Sequence, residues 1–253
     1  MDKRSPSPYL PAMEILENNP KAGKTRKRPV GRPRNDGRPQ LTRHTVFLAA
    51  AALIAKNGYA GTSIRMIANE VGAVPASIFN LFATKEALLN ELIGFVSEPS
   101  LQFYKSLTRL QLPVGVALYT SIFQEVHAVA SAQKHFPALF YLPELAKPEF
   151  ADAQDVRARL VSHYRDLIET GQKQSIFTVD FVDLAAEQVF QMTETSVIAD
   201  PQRAAPTVGA QARATARYCV RGLLTNTASL DAIEAAAARI DLKIEIPDEA
   251  LAK

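Results

Sequence analysis

The stretch from residue 46 to residue 89, VFLAAAALIAKNGYAGTSIRMIANEVGAVPASIFNLFATKEALL, reads as three short helices and the start of a fourth. Val46, Phe47, Ala50, Leu53 and Ile54 recur at helical spacing and make one apolar face. Gly58 follows at once and takes the left-handed backbone that ends a helix without a Cβ penalty. Thr62 or Ser63 caps a second helix, whose inner face is Ile64, Ile67, Ala68 and Val71. Gly72 supplies a turn. Pro75 fits the first turn of a third helix, where a missing N–H costs nothing. Ile78, Phe79 and Phe82 are expected to point inward. Thr84 caps a fourth helix whose apolar face runs through Leu88, Leu89, Leu92, Ile93 and Val96 as far as Glu98-Pro99. The second and third helices, close together across a glycine turn, form a helix-turn-helix.

A basic arm precedes this head: KTRKRPVGRPRNDGRPQ, residues 24–40. Residues 1–43 hold eleven Lys/Arg against four acids, a balance of +7. The other 210 residues hold 18 against 22, or −4, which gives the chain its net +3. A cationic front end on a near-neutral body suits a nucleic-acid partner. Residues 1–40 carry seven prolines and no apolar periodicity, so they are expected to be disordered in the free protein. Arg28-Pro29-Val30-Gly31-Arg32-Pro33-Arg34 resembles an AT-hook, although Val30 stands where a basic residue is commoner, and Gly37-Arg38-Pro39 repeats its core. Arg26, Arg28, Arg32 and Arg34 are then candidates for an A·T-rich minor groove. A basic tail without groove preference is the alternative.

The head resembles the DNA-binding domain of the TetR family of bacterial regulators. The matching residues are Ala50, Ala51, Leu53, Ile54, Gly58, Tyr59, Thr62, Ser63, Ile64, Ile67, Ala68, Gly72, Ile78, Phe82, Lys85, Leu88 and Leu89. The resemblance implies an all-α protein: an N-terminal helix-turn-helix domain followed by a helical ligand-binding and dimerisation domain. It implies double-stranded DNA as partner, with contacts from Thr62, Ser63, Pro75, Ala76, Ser77, Asn80 and Leu81, and Lys85 at a phosphate. Departures from the family pattern at Val74, Pro75, Ala76, Phe79 and Asn80 fall in the reading surface, so no operator sequence carries over.

Residues 101–224 read as helical throughout, and no apolar/polar alternation lasts long enough to build a sheet. The expected helices are near 100–111, 113–133, 137–146, 149–170, 180–199 and 206–225, with Asp180 capping the fifth. A last helix near 229–240 and a polar tail follow. The domains are therefore an arm, 1–40; the head, 41–98; an effector-binding and dimerisation domain, 99–228; and a C-terminal helix and tail, 229–253. The resemblance assigns dimerisation to 149–170 and 180–199, with Leu184, Ala185, Val189 and Met192 at the seam of a homodimer. Aromatics concentrate in 103–141, with polar handles nearby; Tyr104, Tyr119, Phe123, His127, Phe140 and Tyr164 could line an effector pocket or each serve as plain core, and it is the resemblance that implies the pocket.

No Gly-rich phosphate loop, nucleophile elbow, HExxH or CxxC occurs, so neither an enzyme nor a cofactor is expected. No segment is apolar enough to span a bilayer. No signal-peptide core is present, and a cytoplasmic, nucleoid-associated location is expected. The lone Cys219 is expected to serve as a small buried hydrophobe. The expected function is a ligand-responsive repressor acting as a homodimer on a palindromic operator. The alternatives are an activator of the same family, or an architectural A·T-rich DNA-binding protein without effector.

Overall fold

A computed structural model describes residues 41–132, 135–195 and 206–246. Every regular element among them is helical: α1 Arg43–Gly61, α2 Ile64–Glu70, α3 Pro75–Phe79, α4 Lys85–Arg109, α5 Val114–Ser131, α6 His135–Leu139, α7 Ala151–Lys173, α8 Val182–Thr195, α9 Val208–Leu223 and α10 Leu230–Ala237. Among the described residues, no helix is long and apolar enough to cross a membrane.

The local signals of the head act as read. Thr42 and Thr45 form a reciprocal capping box at the start of α1. Gly58 leaves helical geometry at φ 73°, and one further turn follows it. Ser63 caps α2 by accepting from the Met66 amide. Thr62 instead donates to the Gly58 carbonyl at 2.9 Å and is buried. Gly72, at φ 65°, makes the turn into α3, and the Thr84 hydroxyl caps α4.

Several expectations about the later elements fail: Asp180 does not cap the fifth body helix, which begins at Val182, and the helix expected near 137–146 ends at Leu139. The fourth helix does not stop at Pro99 but continues through it to Arg109. The proline cannot donate to the Phe95 carbonyl. The helix survives because residues on both sides, Leu92, Ile93, Leu101 and Phe103, are buried and hold both halves in place. The last segment is not a polar tail. After α10, residues 240–246 read Ile-Asp-Leu-Lys-Ile-Glu-Ile, and Ile240, Leu242, Ile244 and Ile246 pack on the protein while the alternate positions face out. This alternation builds a non-helical strap rather than a sheet.

Two cores result. One belongs to the head: Val46, Phe47, Ile54, Ile67, Ile78, Phe82, Leu88 and Leu92, joined by Phe136 and Leu139 of α6 and by Phe150. The other belongs to the body, built from α4, α5, α7, α8 and α9. At the end of α7, Gly171 accepts amide bonds from Ile176 and Phe177 at 2.9 and 3.1 Å. A Cβ on Gly171 would lie 2.0 Å from the Phe177 ring, so only glycine allows that return.

Candidate nucleic-acid interface and ligand cavity

The reading segment is held from behind. Ile78 and Phe82 are buried, and Arg43 reaches across to donate to the Leu81 carbonyl at 2.7 Å, with its guanidinium 4.7 Å from the Phe82 ring. Arg43 also pairs with Glu91. The outward face consists of Val74, Ala76, Phe79 and Asn80, with Pro75, Ser77 and Leu81 half-buried beside them. Phe79 was expected to turn inward. It is 50% exposed, because Ile78 and Phe82 already fill the space beneath a five-residue helix. Val74 is 57% exposed and caps α3 without any side-chain bond. An apolar outward face of this kind is suited to thymine methyl groups as well as to hydrogen bonding by Asn80.

Two residues expected at DNA are engaged inside the head. Thr62 is 1% exposed and bonded to Gly58. Lys85 Nζ donates to the carbonyls of Tyr59 and Thr62 at 3.0 and 3.1 Å and sits 3.9 Å from the centre of the Tyr59 ring. It closes the C-terminal end of α1, where orphan carbonyls and the helix dipole favour a cation. Arg65 is exposed on the outer face of α2 and was missed by sequence reasoning, although it falls between the inward positions Ile64 and Ile67. Arg26, Arg28, Arg32 and Arg34 lie outside the described residues.

A cavity of about 90 Å³ lies in the body. Phe95 and Pro99 of α4, Phe136 and Phe140 around α6, and Phe190 of α8 provide much of its apolar wall, and Ile244 and Ile246 of the strap line it as well. Two carboxyl groups line it as well: Glu125 of α5 and Glu194 of α8, 7% and 9% exposed. Ser100 and Tyr104 each donate to Glu125 at 2.8 Å, one to each oxygen. Burial raises the Glu125 carboxyl above its usual range, against these two hydroxyls. Burial also pushes Glu194 up to about 8, partly offset by Arg157, while Glu125 adds to the rise.

Of the six residues expected to line a pocket, Phe140 lines this cavity and the other five do not. Tyr104 and Tyr164 stand behind the wall as a hydroxyl relay, 3.1 Å apart, ending on Glu125. His163 stacks on Tyr104 at 3.7 Å and meets Ser121 at 2.8 Å; burial drives its pKa down to about 3, so it is neutral. Tyr119 lies elsewhere, against α10: burial and then Glu234 push its hydroxyl up to about 12. Phe123 stacks on His127, whose side chain is exposed. Aromatic content marked the body core, and the cavity was marked instead by buried acids.

The expected dimer residues divide. Ala185 and Val189 are buried within the chain itself, because α7 packs along that face of α8. Met192 is half-buried, with its sulfur 3.7 Å from Cys219. Burial pushes the Cys219 thiol up to about 12. Leu184 is 53% exposed, together with Phe181 at 70% and Tyr218 of α9 at 71%.

Residues 47–92 match the profile of the bacterial regulatory proteins of the tetR family. The head is a TetR-family DNA-binding domain. The fold of the chain recurs in solved regulators. AmtR of Mycobacterium smegmatis is 27% identical, over 83% of this chain and 100% of that one, with a TM-score of 0.61. Two further structures share the fold. KstR2 of Mycobacterium tuberculosis, a ketosteroid transcriptional regulator, is 20% identical over 75% of this chain and 98% of that one, TM-score 0.58. FadR of Bacillus subtilis, in complex with stearoyl-CoA, is 18% identical over 72% and 99%, TM-score 0.57. No curated protein sequence matches the chain.

Proposed function

We propose that this TetR-family regulator is a homodimeric, ligand-responsive repressor that works on the bacterial nucleoid and binds a palindromic operator. The observation that carries the reading is Phe136, which belongs to the head core and also lines the body cavity. A molecule entering the cavity presses on a side chain that the head needs for its own packing. Close-packed interiors transmit such a displacement rather than absorb it. In a two-fold dimer the two α3 segments must match a DNA repeat of about 34–36 Å, so a small shift of each head is enough to lose binding.

Dimerisation is assigned to the start of α8 and to α9, where Phe181, Leu184 and Tyr218 are exposed. Large apolar side chains left exposed to water favour association. Val74, Ala76, Phe79 and Asn80 read base edges, and the arm, through Arg26, Arg28, Arg32 and Arg34, adds phosphate or minor-groove contacts.

Selection of bound DNA from a random pool tests the reading. The expected result is an inverted repeat. Asn80→Ala should relax preference at one base pair per half-site, at a cost of about 1–3 kcal/mol. Deleting residues 1–38 should lower affinity and flatten its salt dependence while leaving the motif unchanged. A selected site without two-fold symmetry, or no selection at all, refutes the dimeric operator.

A further inference from the structure

We infer that the cavity takes a small lipophilic ammonium ion, held by Glu125 and Glu194. This rests on the reading of the cavity as the effector site. The walls are apolar, yet two carboxyl groups line them, each more than nine-tenths buried. Acidic side chains at that depth are costly unless they meet a cation.

The groups that face Glu125 supply none. Ser100 and Tyr104 of α4 occupy one oxygen each as donors. Tyr164 of α7 adds only a hydroxyl, bonded to that of Tyr104, and His163 is neutral. Burial raises this carboxyl and the two hydroxyls oppose it, and no lysine or arginine of the described residues pairs with it. Glu194 has Arg157 nearby, but that guanidinium is paired with Glu187 and lies over the Phe190 ring at 5.2 Å. Tyr141 adds a hydroxyl to Glu194.

Both Glu125 oxygens accept hydrogen bonds, which is the pattern of an ionised carboxylate, and each keeps a second lone pair. Among the described residues, Glu125 has no positively charged donor. An anion would meet no positive charge beside Glu125 among the described residues. A divalent metal needs several oxygen ligands, and the rest of the lining is largely hydrocarbon. A protonated amine on a short hydrocarbon chain answers both features. A dry cavity of about 150 Å³ takes benzene, so one of about 90 Å³ suits a chain of four or five carbons.

Titration of the full-length protein with n-butylammonium, 1-butanol and butyrate tests the inference, since the three share a four-carbon chain and differ in charge. The ammonium ion should bind at least about tenfold more tightly than the alcohol, and butyrate should not bind. Glu125→Gln and Glu194→Gln should each bring the amine down towards the alcohol and leave the alcohol unchanged. The wild-type comparison stands even if a variant misfolds. Equal or tighter binding of 1-butanol overturns the cation while leaving the cavity as an effector site. Amine binding unchanged in both variants overturns the assignment to these carboxyls. Failure of all three probes overturns the cavity as the effector site too, whereas the DNA selection experiment tests the regulator independently.

Discussion

Lys85 gives the sharpest test, because family resemblance and structure assign it different work. At a phosphate, it would contribute to affinity alone. In the structure two of its three N–H donors are spent on the Tyr59 and Thr62 carbonyls, and its ammonium group sits over the Tyr59 ring. Tyr59 is itself tied in, donating to Glu86 at 3.0 Å and meeting Phe150 edge-on at 5.5 Å. Lys85→Ala therefore strips the closure from α1 and loosens the joint between α1, α4 and the segment before α7. Hydrogen bonds involving a charged group contribute about 1.5–3 kcal/mol each. Half-burial and the freed side-chain entropy reduce the net loss to about 2 kcal/mol. For a folded unit of this size that is a fall of about 4–8 °C in Tm. Lys85→Met, which keeps the stem on the ring, should lose nearly as much. Calorimetry or circular-dichroism melting reads the first effect, and DNA titration at several salt concentrations reads the second. A Tm within about 1 °C of wild type, with the salt slope lowered by about one, would refute the closure and restore the phosphate contact.

Other expectations follow from the same structure. Leu184→Glu combined with Tyr218→Glu should give a folded monomer by light scattering, because both side chains are exposed on one protomer; an intact dimer would exclude that seam. Ala185→Glu should instead unfold the body, since Ala185 is buried within the chain itself, and a stable, folded variant would contradict that packing. Gly171→Ala should cost about 1–3 kcal/mol by forcing Phe177 away, and a neutral effect on chemical denaturation would mean that the ring moves freely. Glu194 has a folded pKa raised to about 8, so its contribution is fully present below the ordinary Glu range, near 4.5, and is lost as pH rises through about 8. Wild type should therefore lose stability between pH 5 and 8 relative to Glu194→Gln, and parallel pH profiles would show that the carboxyl is not held protonated.

Much of the head is legible in the chain because its signals are local. A helix end depends on residues within one turn: Gly58 at positive φ, Ser63 and Thr84 as caps, Pro75 at a first turn and Gly72 between two helices all act at the distance over which a sequence can be read. The inward face of α2 and the burial of Ile78 and Phe82 follow from helical spacing in the same way. The strap was also written locally, in the alternation of Ile240, Leu242, Ile244 and Ile246, but its polar residues hid it among the tail.

What tertiary structure alone decided is where two groups far apart in the chain meet. Lys85 is a cation at the start of a helix in any reading; that it faces carbonyls 23 and 26 residues earlier instead of DNA depends on how α4 crosses α1. Pro99 signals a helix end, and packing on both sides of it overrules the signal. Ala185 and Val189 have the apolar spacing of a dimer seam and of a core equally, and the approach of α7 settled the matter in favour of the core. Glu125 and Glu194, 69 positions apart, became neighbours of one cavity only through the packing of α4, α5 and α8. Periodicity states that a side chain is to be buried; it does not state against what, because that information lies in contacts the chain makes only after it has folded.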